Sequence, residues 1–285
     1  MAANTQGLVS VLINGEDTRC LDFADRGLHY GDGVFSTLTV AQGVPLFLSR
    51  HLQRLQADVS RLGIPFPVRP VLLEEARRLS SLHPQSILKI ILTRGVGGRG
   101  YRSLESATGT RILSAHPMPD YPPELKERGV KARFCASRLG LNPRLAGIKH
   151  LNRLEQILAR AEWQDEDVHE GLLLDYEGFL VEGVMSNVFL VHGGRLRTPL
   201  LDRCGVAGVM RGLVLEAARD LGIQAEEARL TPGDAFTADE LFLTNSVIGI
   251  WPVCALDGKA FPVGGFSLRL ARRIDAMIAE EIKRP

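Results

Sequence analysis

Cysteine is scarce in this sequence: Cys20, Cys135, Cys204 and Cys254 are its four, and no two stand at a metal-ligand or redox spacing. They read as reduced thiols in a cytoplasmic protein. The seven histidines form neither an H-x3-H nor an H-E-x-x-H pattern, so no metal site is expected. An excess of one charge is missing as well. The 34 Lys and Arg against 33 Asp and Glu leave a net charge of +1, which argues against nucleic acid or a membrane surface as a partner. The longest uncharged run, Leu241 to Leu256, is interrupted by Asn245, Gly249 and Pro252 and falls short of a membrane span. Met1 to Gly7 carry neither a basic nor an apolar stretch, so no secretory signal is expected there. Repeats and low-complexity segments are also absent.

What is there is the composition of an ordinary soluble globular protein. With 285 residues, 45% apolar and 24% charged, the chain should form one large or two medium domains. Pro117, Pro119, Pro122 and Pro123 make its clearest compositional break. We therefore expect an N-terminal domain at 1–116, a proline-rich linker at 117–124 and a second domain at 125–285.

In the first domain, Val9 to Ile13 reads as a strand entering a tight turn at Asn14-Gly15. A glycine-rich loop from Asp25 to Gly33 leads into a strand from Val34 to Val40, and Gln42-Gly43 turns the chain into another at Val44 to Leu48. A helix follows, with Ser49 as N-cap, Leu52, Leu55, Val59 and Leu62 on its buried side, and Gly63 as its stop. Arg54 lies beside that stripe and by itself reads as a solvated helix arginine. A second helix runs from Pro70 to Leu82, then a strand from Ser86 to Thr93. Beyond it Gly95, Gly97 and Gly100 satisfy G-x-G-x-x-G, which invites a dinucleotide site. That motif needs a helix next, to seat a pyrophosphate. Another strand, Thr110 to Ala115, comes instead. The glycines belong to a hairpin, and a nicotinamide or flavin site is excluded.

In the second domain a strand, Val130 to Ala136, precedes the stretch from Arg144 to Gln156. There Lys149 stands between an apolar lead-in, Ala146-Gly147-Ile148, and a helix with Leu151, Leu154, Leu158 and Ala161 on its buried face. In a helix's first turn the dipole and apolar neighbours both favour a neutral amine. A neutral amine is what attacks a carbonyl to form a Schiff base. The ordinary alternative is a surface lysine with its stem laid on apolar neighbours. Glu182 is the only acid between Phe179 and Val191; buried it needs a partner, on an edge facing solvent it does not. Gly208 leads into a helix that buries Met210, Leu213, Val214, Ala217, Ala218 and Leu221, and such a helix start suits an anion. The strand Leu241 to Thr244 ends in Thr244-Asn245-Ser246, a set of hydroxyl and amide donors, and a closing helix covers Phe266 to Ile282.

These pieces together resemble the fold-type IV pyridoxal-phosphate enzymes, the family of branched-chain and D-amino-acid aminotransferases. The resemblance runs from Ile13-Asn14-Gly15 to the strand ending at Val253. The Tyr30 to Gly33 loop, His51 to Arg54, and Glu182 followed by Asn187-Val188-Phe189 are shared across the fold type. Ala146 to Gln156 and Arg94 to Tyr101 are characteristic of a lyase branch. The resemblance implies an α/β (mixed α+β) protein of two domains, a smaller N-terminal α/β domain and a larger, barrel-like C-terminal one. Pyridoxal 5'-phosphate would lie between them, in a homodimer whose N-terminal loops reach toward the neighbour's site.

The same resemblance implies roles. Lys149 would be the Schiff-base lysine and afterwards the proton carrier. Glu182 would pair with the protonated pyridine nitrogen. Arg54 would clamp the cofactor phosphate, together with the N–H groups of Val209 and Met210 and with Ser246 and Val247. Val209-Met210 stands where an aminotransferase relative has Ile-Thr, so the backbone would bind unaided by a hydroxyl. Arg99 and Tyr101 would meet a substrate carboxylate, and Tyr30 and Thr37 would line the pocket or help Lys149 move protons. Leu154 occupies a position where some aminotransferases carry a tyrosine, which favours the lyase branch. The reaction implied is loss of pyruvate from 4-amino-4-deoxychorismate, leaving 4-aminobenzoate, a folate precursor. A branched-chain or D-amino-acid aminotransferase is the competing activity. A cofactor-free binding protein that keeps only the fold is the competitor from another class.

Overall fold

Alternating strands and amphipathic helices make the first of two units. The computed structural model describes residues 10–102 and 108–283; Val9, assigned above to the first strand, lies outside them. The chain divides into one unit of Met1–Asp120, Lys149–Asn152 and Ile278–Pro285 and another of Tyr121–Ile148 and Arg153–Met277. The first contains β1 (Ser10–Ile13), α1 (Arg26–Tyr30), β2 (Gly33–Ala41), β3 (Val44–Pro45), α2 (Leu48–Leu62), α3 (Arg69–Leu82), β4 (Gln85–Thr93) and β5 (Thr110–His116).

Its five strands form an antiparallel sheet in the order β1-β5-β4-β2-β3. Along β2, Val34, Ser36, Leu38 and Val40 are buried, while Phe35, Thr37 and Thr39 on the opposite face are half-buried. Leu52, Leu55 and Val59 of α2 and Leu72, Ala76 and Leu79 of α3 supply the helical side of the core, against Leu88, Ile90, Leu92 and Leu113 of the sheet. Truncating one such leucine to alanine costs about 2–5 kcal/mol. The hairpin expected from Ser86 to Ala115 forms, with Thr93 opposite Thr110. Local details differ from expectation: the loop expected over Asp25 to Gly33 contains α1, and the strand expected from Val44 to Leu48 ends at Pro45. The Asn14-Gly15 turn closes, with Ile13 and Glu16 exchanging backbone hydrogen bonds, but β1 finds its strand partner in β5. Ser49 is not a cap: α2 starts at Leu48 after Phe47, whose left-handed φ of 52° makes the turn with no side-chain cap.

The second unit holds α4 (Glu124–Arg128), β6 (Val130–Leu139), α5 (Leu154–Arg160), β7 (Val168–Asp175), β8 (Leu180–Gly183), β9 (Asn187–His192) and β10 (Arg195–Pro199). Then come α6 (Val209–Asp220), β11 (Ala225–Ala228), α7 (Pro232–Thr237), β12 (Glu240–Asn245), β13 (Gly249–Leu256), β14 (Lys259–Ala260) and α8 (Gly265–Lys283), whose residues from Ile278 onward belong to the first unit. Its strands run β11-β10-β9-β12-β13-β6-β7-β8, with β14 on β13. Leu180 N, in the last strand of that path, donates to Leu230 O just beyond the first, at 2.7 Å. The sheet therefore curls back on itself in a barrel-like way. Leu172, Val188, Leu190, Leu241, Leu243, Trp251 and Val253 fill its core. The α6 helix buries Met210, Leu213, Val214, Ala217 and Ala218, as its spacing predicts.

The α5 helix overturns its prediction. Leu154, Ile157 and Leu158 are 72%, 61% and 65% exposed, and Gln156 and Ala159 are the buried positions. The apolar spacing is real, but among the described residues nothing covers that side.

Candidate active site

Lys149 is placed by long-range backbone bonds rather than by a helix. Its N–H donates to Asp58 Oδ2 at 3.2 Å, its carbonyl accepts from Phe35 N at 2.9 Å, and Leu151 N donates to Gly33 O at 3.0 Å. The segment thus runs as a short extended partner beside the start of β2, with Val34 opposite His150. The helix expected to begin here starts at Leu154, so its dipole does not act on Lys149 as the sequence suggested. The Lys149 Nζ lies 4.7 Å from the centroid of the Phe35 ring. A second ammonium, Lys89 Nζ on β4, stands 5.1 Å from the same centroid, and Lys89 is the cross-strand partner of Thr37. Burial holds Lys89 below the ordinary lysine range.

Behind this face α2 presents a polar file within its apolar stripe. Arg54 Nη2 donates to Ser36 Oγ at 2.8 Å, and Ser36 Oγ lies 2.7 Å from His51 Nδ1. A guanidinium only donates, so Ser36 Oγ accepts from Arg54, and the direction of its bond to His51 follows the tautomer of the ring. Burial holds His51 well below the usual imidazole range, and the charges of Arg54 and Lys149 push it the same way. Burial also lowers the Arg54 guanidinium, against the attraction of Asp58. The Asp58 carboxyl is pushed up by burial, while its bond from Lys149 N and the Arg54 charge oppose the rise. Arg54 Nε is buried and has no hydrogen-bond partner among the described residues. A buried donor on a cation, left without an acceptor, fits an anionic ligand.

The glycine-rich loop carries the remaining residues of this unit. Tyr30 Oη accepts from Gly100 N at 3.0 Å, and the Tyr30 and Tyr101 rings meet edge-on at 5.7 Å. Arg99 is exposed, Tyr101 is 90% exposed, and Thr37 is half-buried on β2.

In the second unit Glu182 lies on β8, the last strand of the sheet, yet is only 4% exposed. Its Oε2 accepts from Val206 N at 2.8 Å. The two readings left open by the sequence are both half right, since the strand is an edge and the acid is buried. Asn187 Nδ2 donates to Val206 O at 2.9 Å, so the same loop residue is held from both sides. Gly208 caps α6 where a Cβ would stand 2.2 Å from Asn187 Oδ1, so any side chain before Val209 and Met210 would displace the Asn187 amide. These two open the helix, where N–H groups have no intrahelical partner. Thr244 and Asn245 end β12 and a turn follows from Ser246, where Asn245 Oδ1 accepts from Val247 N at 2.8 Å and from Ile248 N at 2.9 Å. The Val247 N–H is therefore already engaged. Glu170 accepts from Ser186 Oγ at 2.7 Å and from Gly171 N at 3.0 Å, and burial pushes its carboxyl up to about 7.

The structure thus gathers Lys149, Arg54 and Thr37 in one unit and Glu182, Val209, Met210, Ser246 and Val247 in the other. Ser36, Asp58, Lys89 and Glu170 were missed. A signal for part of this existed, because His51, Leu55 and Asp58 share one face of α2 and its polar members break an apolar stripe. Among the described residues no group of three or more His, Cys, Asp or Glu is arranged for a metal, and no helix is long and apolar enough to cross a membrane.

A two-domain α/β chain with a fixed lysine, a half-buried arginine and a glycine-led helix start defines a recognisable class. This chain belongs to the class IV amino-transferase family, which matches residues 33–256. An aminodeoxychorismate lyase of Vibrio harveyi is 35% identical over 262 residues, 90% of this chain and 97% of the relative. A putative branched-chain-amino-acid aminotransferase of Methanocaldococcus jannaschii is 35% identical over 240 residues, 82% of each. Among solved structures, the 4-amino-4-deoxychorismate lyase of Pseudomonas aeruginosa is 45% identical with a TM-score of 0.90, covering 93% of this chain and 98% of that one. The resemblance read from the motifs and the fold class it implied are both borne out.

Proposed function

We propose that this chain is a pyridoxal-phosphate-dependent lyase that converts 4-amino-4-deoxychorismate to 4-aminobenzoate and pyruvate, as a homodimer in the cytoplasm. The observation that carries the choice of reaction is the likeness to a lyase of known structure at 45% identity along nearly the whole chain. Leu154 supports it, standing where an aminotransferase tyrosine would be. The exposed apolar side of α5 supports a homodimer, by giving it a surface to cover.

The residues present fit the cofactor. Arg54, with its buried unpartnered Nε, would hold the phosphate. The Val209 and Met210 N–H groups and Ser246 would share it, and Val247 would join by exchanging its bond to Asn245. Glu182, fixed by Val206 N, would hold a proton on the ring nitrogen. When bound, pyridoxal phosphate supplies an aldehyde for an amine and a cationic ring that accepts an electron pair. Lys149 would bind that aldehyde, yield to the substrate amine, and take the proton from the substrate's amine-bearing carbon onto Nζ. Thr37, beside Lys89 on the sheet, would help pass that proton. Breaking the adjacent C–O bond then leaves an aromatic ring, so the chain's task is to place base and charge rather than to push an uphill step. Arg99, Tyr101 and Tyr30 would orient the substrate carboxylates.

An aminotransferase is the second reading, favoured by the archaeal relative of equal identity to the Vibrio lyase. Incubation with 4-amino-4-deoxychorismate and a fluorescence assay for 4-aminobenzoate separates them, run on the native protein and on Lys149→Ala. We expect 4-aminobenzoate from the first alone. Steady pyridoxamine phosphate from simple amino acids, with no 4-aminobenzoate, would overturn the lyase.

A further inference from the structure

The glycine-rich loop has little of its own to hold it. An added Cβ on Gly98 or Gly100 would meet nothing within 4 Å. What holds the loop comes from α1. Arg26, almost fully buried, donates from Nη1 to Gly100 O at 2.9 Å and from Nη2 to Tyr101 O at 3.3 Å. Its Nε donates to Asp32 Oδ2 at 2.8 Å, and its guanidinium carbon lies 4.8 Å from the centre of the Tyr30 ring. Asp32 is fixed in turn by Arg94 Nε at 2.8 Å, and Arg94 Nη2 reaches Leu62 O at 2.9 Å. The near side of the loop is tied by backbone bonds, Arg26 N to Gly95 O at 2.9 Å and Gly97 N to Ala24 O at 3.2 Å. Gly97 lies against the arginine stem so closely that a Cβ would stand 2.6 Å from Arg26 Cδ.

We propose that Arg26 is a positioning residue for substrate recognition: it pins the Gly100 and Tyr101 carbonyls so that Arg99 and Tyr101 present a preset surface to a substrate carboxylate. The idea rests on the reading of Arg99 and Tyr101 as carboxylate ligands. Arg26 suits the task because its planar fork meets Asp32 and two carbonyls at once, which a lysine's single nitrogen cannot do. A surface ordered before the substrate arrives spares the ordering cost at binding, so the contribution falls on substrate affinity rather than on the chemical step.

The test uses the holoenzyme with Arg26→Lys and Gly97→Ala, singly and together, and Arg99→Leu. KM and kcat come from 4-aminobenzoate release, cofactor affinity from its absorbance, and loop order from hydrogen exchange over 95–102. Each single change should raise KM about tenfold with kcat within about threefold, leave cofactor affinity unchanged and speed loop exchange. The pair together should fall short of the product of the single effects, because both changes break one contact. Unchanged exchange in Arg26→Lys overturns the proposal, as does a loss of cofactor affinity matching the rise in KM. If Arg99→Leu raises KM and Arg26→Lys does not, the proposal again fails. If exchange speeds up but neither change moves KM, the carboxylate reading of the loop fails, and Arg26 as a recognition residue fails with it.

Discussion

The two units bury opposite charges at their candidate sites. In the first, burial pushes Arg54, Lys89 and His51 down, toward losing protons, and Lys149 stands on the same Phe35 ring as Lys89. In the second, burial pushes Glu170 up toward keeping one, and Glu182 is buried with it. An opposing charge lies near each, Asp58 in the first and Arg153 in the second. A group deprived of water gains most from an opposite charge. On the proposed reading, the cations of the first unit would meet phosphate and carboxylates, while the second would offer a carboxylate to the ring nitrogen and backbone N–H groups to the phosphate.

The comparison breaks most sharply at its two reacting residues. Lys149→Ala should lower 4-aminobenzoate formation by roughly 10,000-fold, the upper end of what one positioned base contributes. A residual rate near native would show that another amine does the work. Glu182→Gln should cost roughly 100- to 1,000-fold in kcat, with cofactor still bound, because a neutral amide holds the ring proton poorly. A fall in affinity alone would make Glu182 an anchor instead.

The buried titrating groups predict opposite pH slopes. Glu170 has its folded value raised to about 7 from an ordinary 4.5, so the folded chain keeps that proton longer than the unfolded one. Stability linked to Glu170 is present below about pH 4.5 and is lost as pH rises through about 7, by roughly 3 kcal/mol in all. His51 is lowered, so its contribution is present above the unfolded value near 6.5 and is lost as pH falls below it. Denaturant midpoints should no longer fall between about pH 4.5 and 7 in Glu170→Gln, and should no longer fall as pH drops below about 6.5 in His51→Gln. The reverse pairing would mean the groups are misassigned. The smallest effect is on affinity: Arg54→Met should weaken pyridoxal 5'-phosphate by about 10- to 100-fold and pyridoxal hardly at all. Equal losses for both would remove Arg54 from the phosphate.

Much of this was legible in the sequence where periodicity governs. The helices α2, α3 and α6 and the β4–β5 hairpin follow from spacing and glycine position, and Arg54, Lys149 and Glu182 stood out by residue type and motif. The misses share a cause, since spacing identifies a face but not what covers it. Leu154 and Leu158 have helical spacing and are open, while Glu182 lies on an edge strand and is covered by the loop at Val206. Lys149 looked like a helix start because its backbone partners, Asp58 and Phe35, lie far away in the chain. Ser36 and His51 carry no signal until β2 and α2 are packed together.

The claim on which the rest depends is that Lys149, and not its neighbour on the Phe35 ring, carries the cofactor. Borohydride reduction of the purified holoenzyme, followed by peptide mass analysis, tests it directly. The account predicts a phosphopyridoxyl mass on the peptide containing Lys149. The same mass on Lys89, or on no lysine at all, would contradict it.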